Sequence, residues 1–265
     1  MTVIASNISA IRAQNASTVA NKGLSQAMER LSSGKRINTA KDDAAGLAIA
    51  TKMTAEVRGL GAARRNANDG ISLAQTAEGG MGEISNMLQR MKELAVQAAN
   101  GTNDAASKAN IKAEGDALIA QIGQVSGMKY NGVALFSATA TKIQVGTGAT
   151  DQVDVTTGLM TTAALGVAAL DISTGTAAFT ALDTAIDTVS TSRASMGAVQ
   201  SRLESAVSNL TSTITNLSDA KSRIEDADFS EESTALAKNQ ILSQASTAML
   251  AQANQSQQGV LTLLR

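Results

Sequence analysis

The chain of 265 residues contains no proline, no histidine and no cysteine. Without proline, nothing in the sequence forces a helix to bend or stop. Without histidine and cysteine, the usual ligands of zinc, copper and haem are missing, as are histidine-based acid–base catalysis and thiol catalysis. The absence of cysteine also excludes a disulfide framework and suits an exported or a cytosolic protein equally. We therefore predict no catalytic residues, no metal site and no cofactor.

Aromatic residues make up only 2% of the chain. Burial must then come from alanine, leucine, isoleucine, valine and methionine, which suits close packing between helices. No run of about 18 apolar residues is present, so the sequence predicts no membrane insertion. Residues 1–17 have neither a basic start nor an unbroken apolar run, and we expect no cleavable secretory signal.

Two long segments repeat apolar residues at alternating steps of three and four. The first extends from Leu60 to Ala98, and the second from Leu182 to Ile224. This spacing, sustained over such a length, is typical of coiled-coil-like bundle helices. We predict one long helix from about Asp43 to Ala99, a shorter helix after a break at 100–104, and a second long helix over 179–224.

The middle of the chain has a different pattern. Residues 142–155 alternate apolar and polar side chains on both sides of a turn rich in glycine and threonine, which predicts a β-hairpin. The pair Asn131 and Gly132 is typical of a tight turn. Residues 137–178 carry no helical period, and we interpret them as a small, surface-exposed β subdomain.

Both ends of the chain carry apolar residues at helical spacing. Residues 233–265 hold only Lys238 and Arg265 as charged residues, whereas the outer face of a surface helix normally carries charge. We predict that this helix is buried against other copies of the chain; the alternative is a disordered polar tail. The candidate assembly residues are Ile4, Ile8, Ile11, Leu242, Met249, Val260 and Leu264.

A charged break interrupts the helices near each end. We call residues 34–42 the N-terminal spoke and residues 224–233 the C-terminal spoke. Gly34 is expected to stop a helix, and Thr39 with Asp42 has the form of a capping box, with Asp42 and Asp43 at the positive end of the next helix. Residues 1–65 carry ten basic and four acidic side chains, and the C-terminal spoke carries five acidic ones. We hypothesise that the two spokes face each other, within the chain or between subunits. The candidate spoke residues are Arg36, Asp42, Asp43, Glu225, Asp226 and Phe229.

Four stretches resemble bacterial flagellins. Residues 31–50 (LSSGKRINTAKDDAAGLAIA) resemble the N-terminal spoke of that family, and residues 222–255 (SRIEDADFSEESTALAKNQILSQASTAMLAQANQ) resemble its C-terminal counterpart. Residues 89–104 and the final VLTLLR are similar as well. The resemblance covers about residues 1–137 and 180–265. The chain departs from it in its short middle, in QSQQG at 256–259 where many members have a proline, and in Tyr130 where a phenylalanine is familiar.

Together, the pattern and the resemblance predict a mainly α fold: a long coiled-coil-like helical bundle with a small β-hairpin subdomain and paired N- and C-terminal helices. We expect an inner core made of 1–42 and 225–265, each a helix with its spoke. The outer core would hold the helical bundle of 43–136 and the long helix of 179–224. Residues 137–178 would form the β-hairpin subdomain between them.

The resemblance implies a structural subunit that is secreted and polymerises into the filament of the bacterial flagellum for motility. It implies as partners further copies of the chain, a flagellar export chaperone, and the filament cap and hook–filament junction proteins. It also implies terminal helices that become ordered on assembly. Nucleic acid is not among the expected partners, because the basic residues near the N-terminus lack interleaved aromatic ones.

In flagellins, the stretch matching residues 89–97 and a glutamate on the next helix form the surface recognised by the vertebrate Toll-like receptor for flagellin, a host innate immune receptor. Gln89, Arg90, Leu94, Gln97 and Glu114 match that pattern. Arg90 and Gln97 lie seven residues apart and off the apolar stripe, so they are expected to face outward together. For Leu94, the spacing also allows packing within the bundle.

Two other functional classes share some of these features. An α-helical surface adhesin or an injection-needle-type filament protein could have similar coiled-coil ends. An enzyme displayed on a filament is the third alternative, but residues 138–180 form a short segment without histidine. The acidic residues of the spokes lack the ligand spacing of a calcium loop, so helix capping and charge matching explain them better.

Overall fold

The computed structural model describes residues 6–262, with side chains described for residues 6–259. Over residues 6–262 the chain forms five α-helices, one 3-10 helix and four short strands. The helices are α1 (Ile8–Ser33), α2 (Ala44–Ala99), α3 (Ala105–Ser126), α4 (Thr176–Glu225) and α5 (Phe229–Thr262), with the 3-10 helix at Ile172–Thr174. The strands are β1 (Lys129–Tyr130), β2 (Val133–Ala134), β3 (Thr141–Gln144) and β4 (Gln152–Val155). This mainly α architecture confirms the predicted fold class.

The described chain divides into two compact units. The terminal unit contains residues 6–55 and 216–262, and the middle unit contains Glu56–Thr215. The helices α2 and α4 each contribute residues to both units. Each unit has its own packing and is described separately below.

Short polar side chains begin the helices. The carboxylate of Asp104 accepts a hydrogen bond from the backbone N–H of Ser107 at 2.7 Å, and Asp228 accepts one from Ser230 at 2.7 Å. At the start of α2, Asp43 accepts the N–H of Gly46 at 2.9 Å. Such side chains satisfy N–H groups that have no partner within the first helical turn. The predicted helix start near Asp43 is therefore confirmed.

The predicted capping box of Thr39 and Asp42 is formed only in part, and it does not begin α2. The carboxylate of Asp42 turns back and accepts hydrogen bonds from the backbone N–H groups of Asn38 and Thr39 and from the Thr39 hydroxyl. Residues 39–42 form a turn in which the Asp42 N–H donates to the Thr39 carbonyl at 3.0 Å. The cap is Asp43, one residue later, because a residue can cap a helix only from the position directly before its first turn.

The core of the middle unit follows the predicted stripe of α2. Every stripe position from Leu60 to Ala98 is buried; small residues occupy positions 63–77 and 95–98, and larger residues such as Met81 and Leu88 lie between them. The partners of this stripe include Leu182 and Met196 of α4. The alanine positions allow neighbouring helices to approach closely, and the methionines fill the remaining space. The heptad pattern predicted for α2 is confirmed.

A second column of α2, offset from the stripe, is also covered. It consists of Leu73, Gly80, Met87 and Leu94, spaced seven residues apart, and all but the half-buried Met87 are buried. A β-carbon at Gly80 would lie 2.9 Å from the Phe136 ring and 3.8 Å from Val125 of α3. The segment after α2 therefore covers this column, and α2 is buried over a wider arc than a coiled-coil seam requires.

The segment between α3 and α4 contains both predicted turns. The strands β3 and β4 pair antiparallel, with Thr141 opposite Val155 and Gln144 opposite Gln152, which confirms the hairpin. β1 and β2 pair across Asn131 and Gly132, whose φ angles of 48° and 82° fit the expected tight turn.

The expectation that residues 137–178 form a surface-exposed subdomain is wrong. Val153 and Val155, on one face of β4, are buried in the same core as α2, α3 and α4. Met160, Val167 and Ile172 join that core after the hairpin. In a strand, alternate side chains point to the same side, so one face of β4 packs against the helical core while the other remains exposed.

In the terminal unit, α1 packs against α5, which confirms the predicted pairing of the first and last helices. The helices run antiparallel, since Asn7 lies beside Ala253 and Arg30 beside Glu232. We call the line of contact the terminal seam. It consists of residues at alternating steps of three and four that are buried or half-buried: Ala13, Ser17, Ala20, Leu24, Ala27 and Leu31 of α1, and Glu232, Leu236, Asn239, Ser243, Ser246, Leu250 and Ala253 of α5.

Candidate functional site

Large apolar side chains of α1 and α5 lie outside the terminal seam. Val19 is 70% exposed, Ile241 66% and Met249 63%. We call these residues the terminal apolar set; its members are Ile8, Ile11, Val19, Met28, Ile241, Leu242 and Met249. It includes four of the seven predicted assembly residues. The other three, Ile4, Val260 and Leu264, lie outside the residues whose side chains the structure describes.

The surroundings of this set carry little charge. Between 233 and 259, Lys238 is the one charged residue of α5. An open groove between the two helices is lined by small side chains of α1 and α5 together with Arg12 and Met249. Apolar side chains exposed on a helix that carries almost no charge form a surface suited to burial against another protein.

The two spokes are joined within the chain by backbone hydrogen bonds. The N–H of Arg36 donates to the carbonyl of Glu225 at 2.7 Å, and the N–H of Ala227 donates to the carbonyl of Gly34 at 3.0 Å. The Arg36 guanidinium donates to the carbonyl of Ile224 at 3.0 Å. The sequence allowed the two spokes to face each other within one chain or between subunits. The structure contains the arrangement within one chain.

Charged side chains reinforce this connection. Glu225 is buried and forms ion pairs with Lys35 at 2.5 Å and Lys221 at 3.5 Å. The hydrogen bond from Lys35 holds the pKa of Glu225 below its usual value, against the opposing effect of burial. Glu232, also buried, pairs with Arg30 at 2.9 Å. The buried carboxylates of Glu225 and Glu232 are thus each paired with a basic group of the N-terminal half.

The remaining spoke residues are dispersed. Asp43 begins α2, and Asp42 stabilises the turn before it, where the N–H of Thr39 lowers the pKa of the Asp42 carboxyl. Asp226 is exposed, and its backbone bridges to Lys35. Phe229, at the first position of α5, is 71% exposed. Sequence reasoning missed Ile37, whose buried side chain lies in the middle of the charged N-terminal spoke.

The candidate receptor residues lie on α2 and α3 of the middle unit. Gln89, Arg90, Gln97 and Glu114 are exposed. The Arg90 guanidinium donates to Oε1 of Glu114 at 2.9 and 3.0 Å and to Oε2 of Glu93 at 3.0 Å. The hydrogen bonds to Glu114 and Glu93 raise the pKa of Arg90. The ion pair joins α2 to α3 and fixes the position of the guanidinium at the surface.

Leu94 does not belong to this surface. Its side chain is 1% exposed and packs in the core of the middle unit. The prediction that Leu94 contacts a receptor is therefore wrong, because the adjacent column of α2 is covered by the segment that follows it. The packing alternative, which the spacing also allowed, is the one observed.

Metal-binding clusters and membrane-spanning helices are absent from the described residues. In that part of the chain, no three acidic side chains come together in a way that could hold a metal ion. None of the helices in the same residues is apolar enough over a sufficient length to cross a membrane.

Comparison with known proteins identifies the family. Residues 4–141 match the bacterial flagellin N-terminal helical region, and residues 179–264 match the bacterial flagellin C-terminal helical region. A flagellin from Halalkalibacterium halodurans is 43% identical, with 99% of this chain and all of that protein covered. A flagellin from Bacillus subtilis is also 43% identical, with 98% of each covered.

A relative from Treponema phagedenis, the flagellar filament 33 kDa core protein, is 39% identical, with 99% of this chain and all of that protein covered. The crystal structure of Bacillus cereus flagellin is similar, with a TM-score of 0.50 at 31% identity, covering 59% of this chain and 94% of that one. The chain therefore belongs to the bacterial flagellin family, and it is a structural subunit of the flagellar filament for motility rather than an enzyme.

Proposed function

We propose that this subunit polymerises by packing its terminal apolar set against other copies of the chain. The observation that carries the proposal is the exposure of these large side chains outside the seam, with α5 carrying one charged residue between 233 and 259. Burying one such side chain contributes about 1.5–3 kcal/mol. A contact of this kind that does not close on itself generates a helical filament.

The predicted ordering of the terminal helices on assembly follows from the same surface. The seam contains four half-buried leucines among alanine, serine and asparagine, while the terminal apolar set remains in contact with water. Neighbouring copies would supply the missing burial, so that the terminal unit is more stable in the filament than in a free subunit. Hydrogen exchange in α1 and α5 should therefore slow markedly when subunits assemble.

The assembly proposal can be tested with the double variant I241D/M249D. It places two charges where burial is expected, and we expect the pelleted fraction after addition of filament seeds to fall about ten-fold or more. The matched control is I241L/M249L, which keeps apolar side chains of similar size and should assemble as the parent does. Electron microscopy verifies that the pellet contains filaments. Normal assembly of the aspartate variant would overturn the proposal.

We further propose that the surface around Arg90 of the free subunit is recognised by the vertebrate Toll-like receptor for flagellin. The supporting observation is the Arg90–Glu114 ion pair, which holds an exposed guanidinium beside Gln89 and Gln97. The interface lacks Leu94, which is buried, so its polar residues have to provide the recognition.

The receptor proposal is tested by R90A, with K92A as the matched control. Lys92 lies two residues away on the same helix and pairs with Asp183 of α4. A reporter-cell assay with free subunits should show a strong loss of signalling for R90A and little change for K92A. Equal potency of R90A and the parent would reject the Arg90 surface as the recognition site.

The remaining expected partners are the flagellar export chaperone, the filament cap and the hook–filament junction proteins. We propose that the chaperone binds α5, whose exposed Ile241, Leu242 and Met249 would otherwise remain in contact with water before export. Secretion predicts that the protein accumulates outside the cell only when the flagellar export apparatus is functional. Its retention in a strain lacking that apparatus, measured by immunoblot of the medium, tests this expectation.

A further inference from the structure

The terminal seam contains polar residues beside its leucines and alanines, while other large apolar residues remain outside it. Asn239, Ser243 and Ser246 occupy three consecutive seam positions of α5, and Ser246 is buried. Ile241, in the same part of the helix, is 66% exposed. A rotation of α5 by about half a turn would bring Ile241 into the seam and expose the serines instead. The same rotation would remove Leu236 and Leu250 from the seam, so apolar burial favours the observed face of α5. It does not distinguish alignments that are displaced by a whole heptad, because such a displacement keeps the same face in the seam.

Three polar links hold α1 and α5 in one antiparallel register. The Asn7 amide donates to the carbonyl of Ala253 at 3.2 Å, and the Ser243 hydroxyl donates to Oδ1 of Asn21 at 2.8 Å. At the other end, Arg30 pairs with Glu232 at 2.9 Å. A slip by one heptad would displace the helices by about 10 Å, since each residue rises about 1.5 Å. All three links would then be lost together.

Gly23, next to the seam residue Leu24, lies against the seam residue Asn239. A β-carbon at position 23 would lie 2.7 Å from Nδ2 of Asn239 and 2.9 Å from its Cγ. The glycine therefore leaves the space that the amide side chain occupies against α1. An asparagine at a seam position of a coiled coil specifies the register at some cost in stability, because the amide is poorly accommodated in any other alignment.

We propose that Asn239 against Gly23, together with Ser243 and Ser246, forms a register lock. The lock selects one alignment of α1 with α5 and thereby sets where the apolar residues of one helix lie relative to those of the other, on the surface offered to a second copy. The last step rests on the proposed function, in which the terminal apolar set contacts other subunits. The choice of register does not depend on that function and can be measured separately.

Cysteine pairs report the register, since the chain has no cysteine of its own. The side-chain amides of Asn7 and Asn254 lie 3.5 Å apart, so N7C/N254C should form a disulfide within one chain in the observed alignment. N7C/T247C probes the alignment that is displaced by one heptad. Non-reducing electrophoresis separates crosslinks within a chain from crosslinks between chains. The ratio of the N7C/N254C crosslink to the N7C/T247C crosslink is measured in free subunits and in filaments.

The first test replaces the lock with apolar residues in N239L/S243L. We expect the ratio of native to displaced crosslink to fall about ten-fold and the yield of filaments to fall with it. An unchanged ratio would overturn the lock, whatever the yield. The variant I241D/M249D keeps the lock; if it assembled normally, the proposed function would fail while the crosslink ratio still decided the register.

A second test exchanges Gly23 and Asn239 and preserves the composition. In G23N alone, two asparagines compete for one space, and the native crosslink should be lost. The exchanged variant G23N/N239G restores an amide opposite a glycine and should recover the native crosslink and the filaments. If the effect came only from helix propensity, the glycine introduced at position 239 would weaken the pair relative to G23N alone. Failure of the exchange to recover the native crosslink would contradict a lock at this position.

Discussion

The Lys35 ammonium lies 2.5 Å from Oε1 of Glu225, and this pair joins the two spokes. Glu225 stands at the C-terminal end of α4, where the helix dipole is unfavourable for an acidic side chain. Its burial increases that penalty, and the two lysines beside it compensate. The basic surplus of the first 65 residues thus has a structural role within the chain.

Replacing Lys35 by methionine should leave Glu225 buried with only the weaker partner Lys221. We expect a loss of about 1–2 kcal/mol in the free energy of unfolding of the terminal unit, less than for a fully buried pair because Lys35 is nearly half exposed. Urea denaturation followed by circular dichroism measures it. R193A is the control, since its pair with Glu78 is exposed on both sides and spans 3.7 Å. Equal effects of the two substitutions would contradict the assigned role of Lys35.

The same pair predicts a pH dependence. Because the pKa of Glu225 is lowered in the folded chain, its contribution is fully present above the unfolded value of about 4.5 and is lost as the pH falls through the folded value. The parent should therefore exceed E225Q in stability at pH 7, and the difference should vanish below the folded pKa. Urea midpoints of both proteins between pH 7 and strongly acidic pH provide the measurement. A difference independent of pH would show that the charge of Glu225 is not involved.

Two adjacent glycines of α2 should respond in opposite directions to alanine. In G80A, the new β-carbon would lie 2.9 Å from the buried Phe136 ring, and we expect a destabilisation of about 1–3 kcal/mol. In G79A it would meet no atom within 4 Å, and the better helix propensity of alanine should stabilise the chain by up to about 1 kcal/mol. Thermal unfolding separates the two cases, and a stabilising G80A would refute the close contact with Phe136.

Substitutions of Leu94 and Arg90 should differ in their effect on the free energy of unfolding, because Leu94 is buried and Arg90 is exposed. L94A opens a cavity in the core of the middle unit and should cost about 2–5 kcal/mol. R90A removes an exposed group and should leave the free energy of unfolding close to that of the parent. Chemical denaturation of both variants is the measurement. If L94A were neutral, the assignment of Leu94 to the core would have to be abandoned.

The sequence determined the features that depend on local spacing. The stripe from Leu60 to Ala98 predicts the buried side of α2, because a helix returns a side chain to the same face every three or four residues. Gly34 ends α1 with φ at 69°, a conformation that glycine adopts without strain. The sequence also predicted the turn at Asn131 and Gly132 and the alternation in β4, since both depend on adjacent residues.

Tertiary structure decided which of several possible faces became buried. Ile8 and Ile11 have the spacing of a core stripe but are exposed, because α5 packs against another face of α1, where Ala20 and Ala27 are buried in the seam. Leu94 is buried because Phe136 and α3 cover a column beside the main stripe. A periodic pattern states which residues share a side of a helix, but the number and placement of neighbouring elements determine which sides lose contact with water.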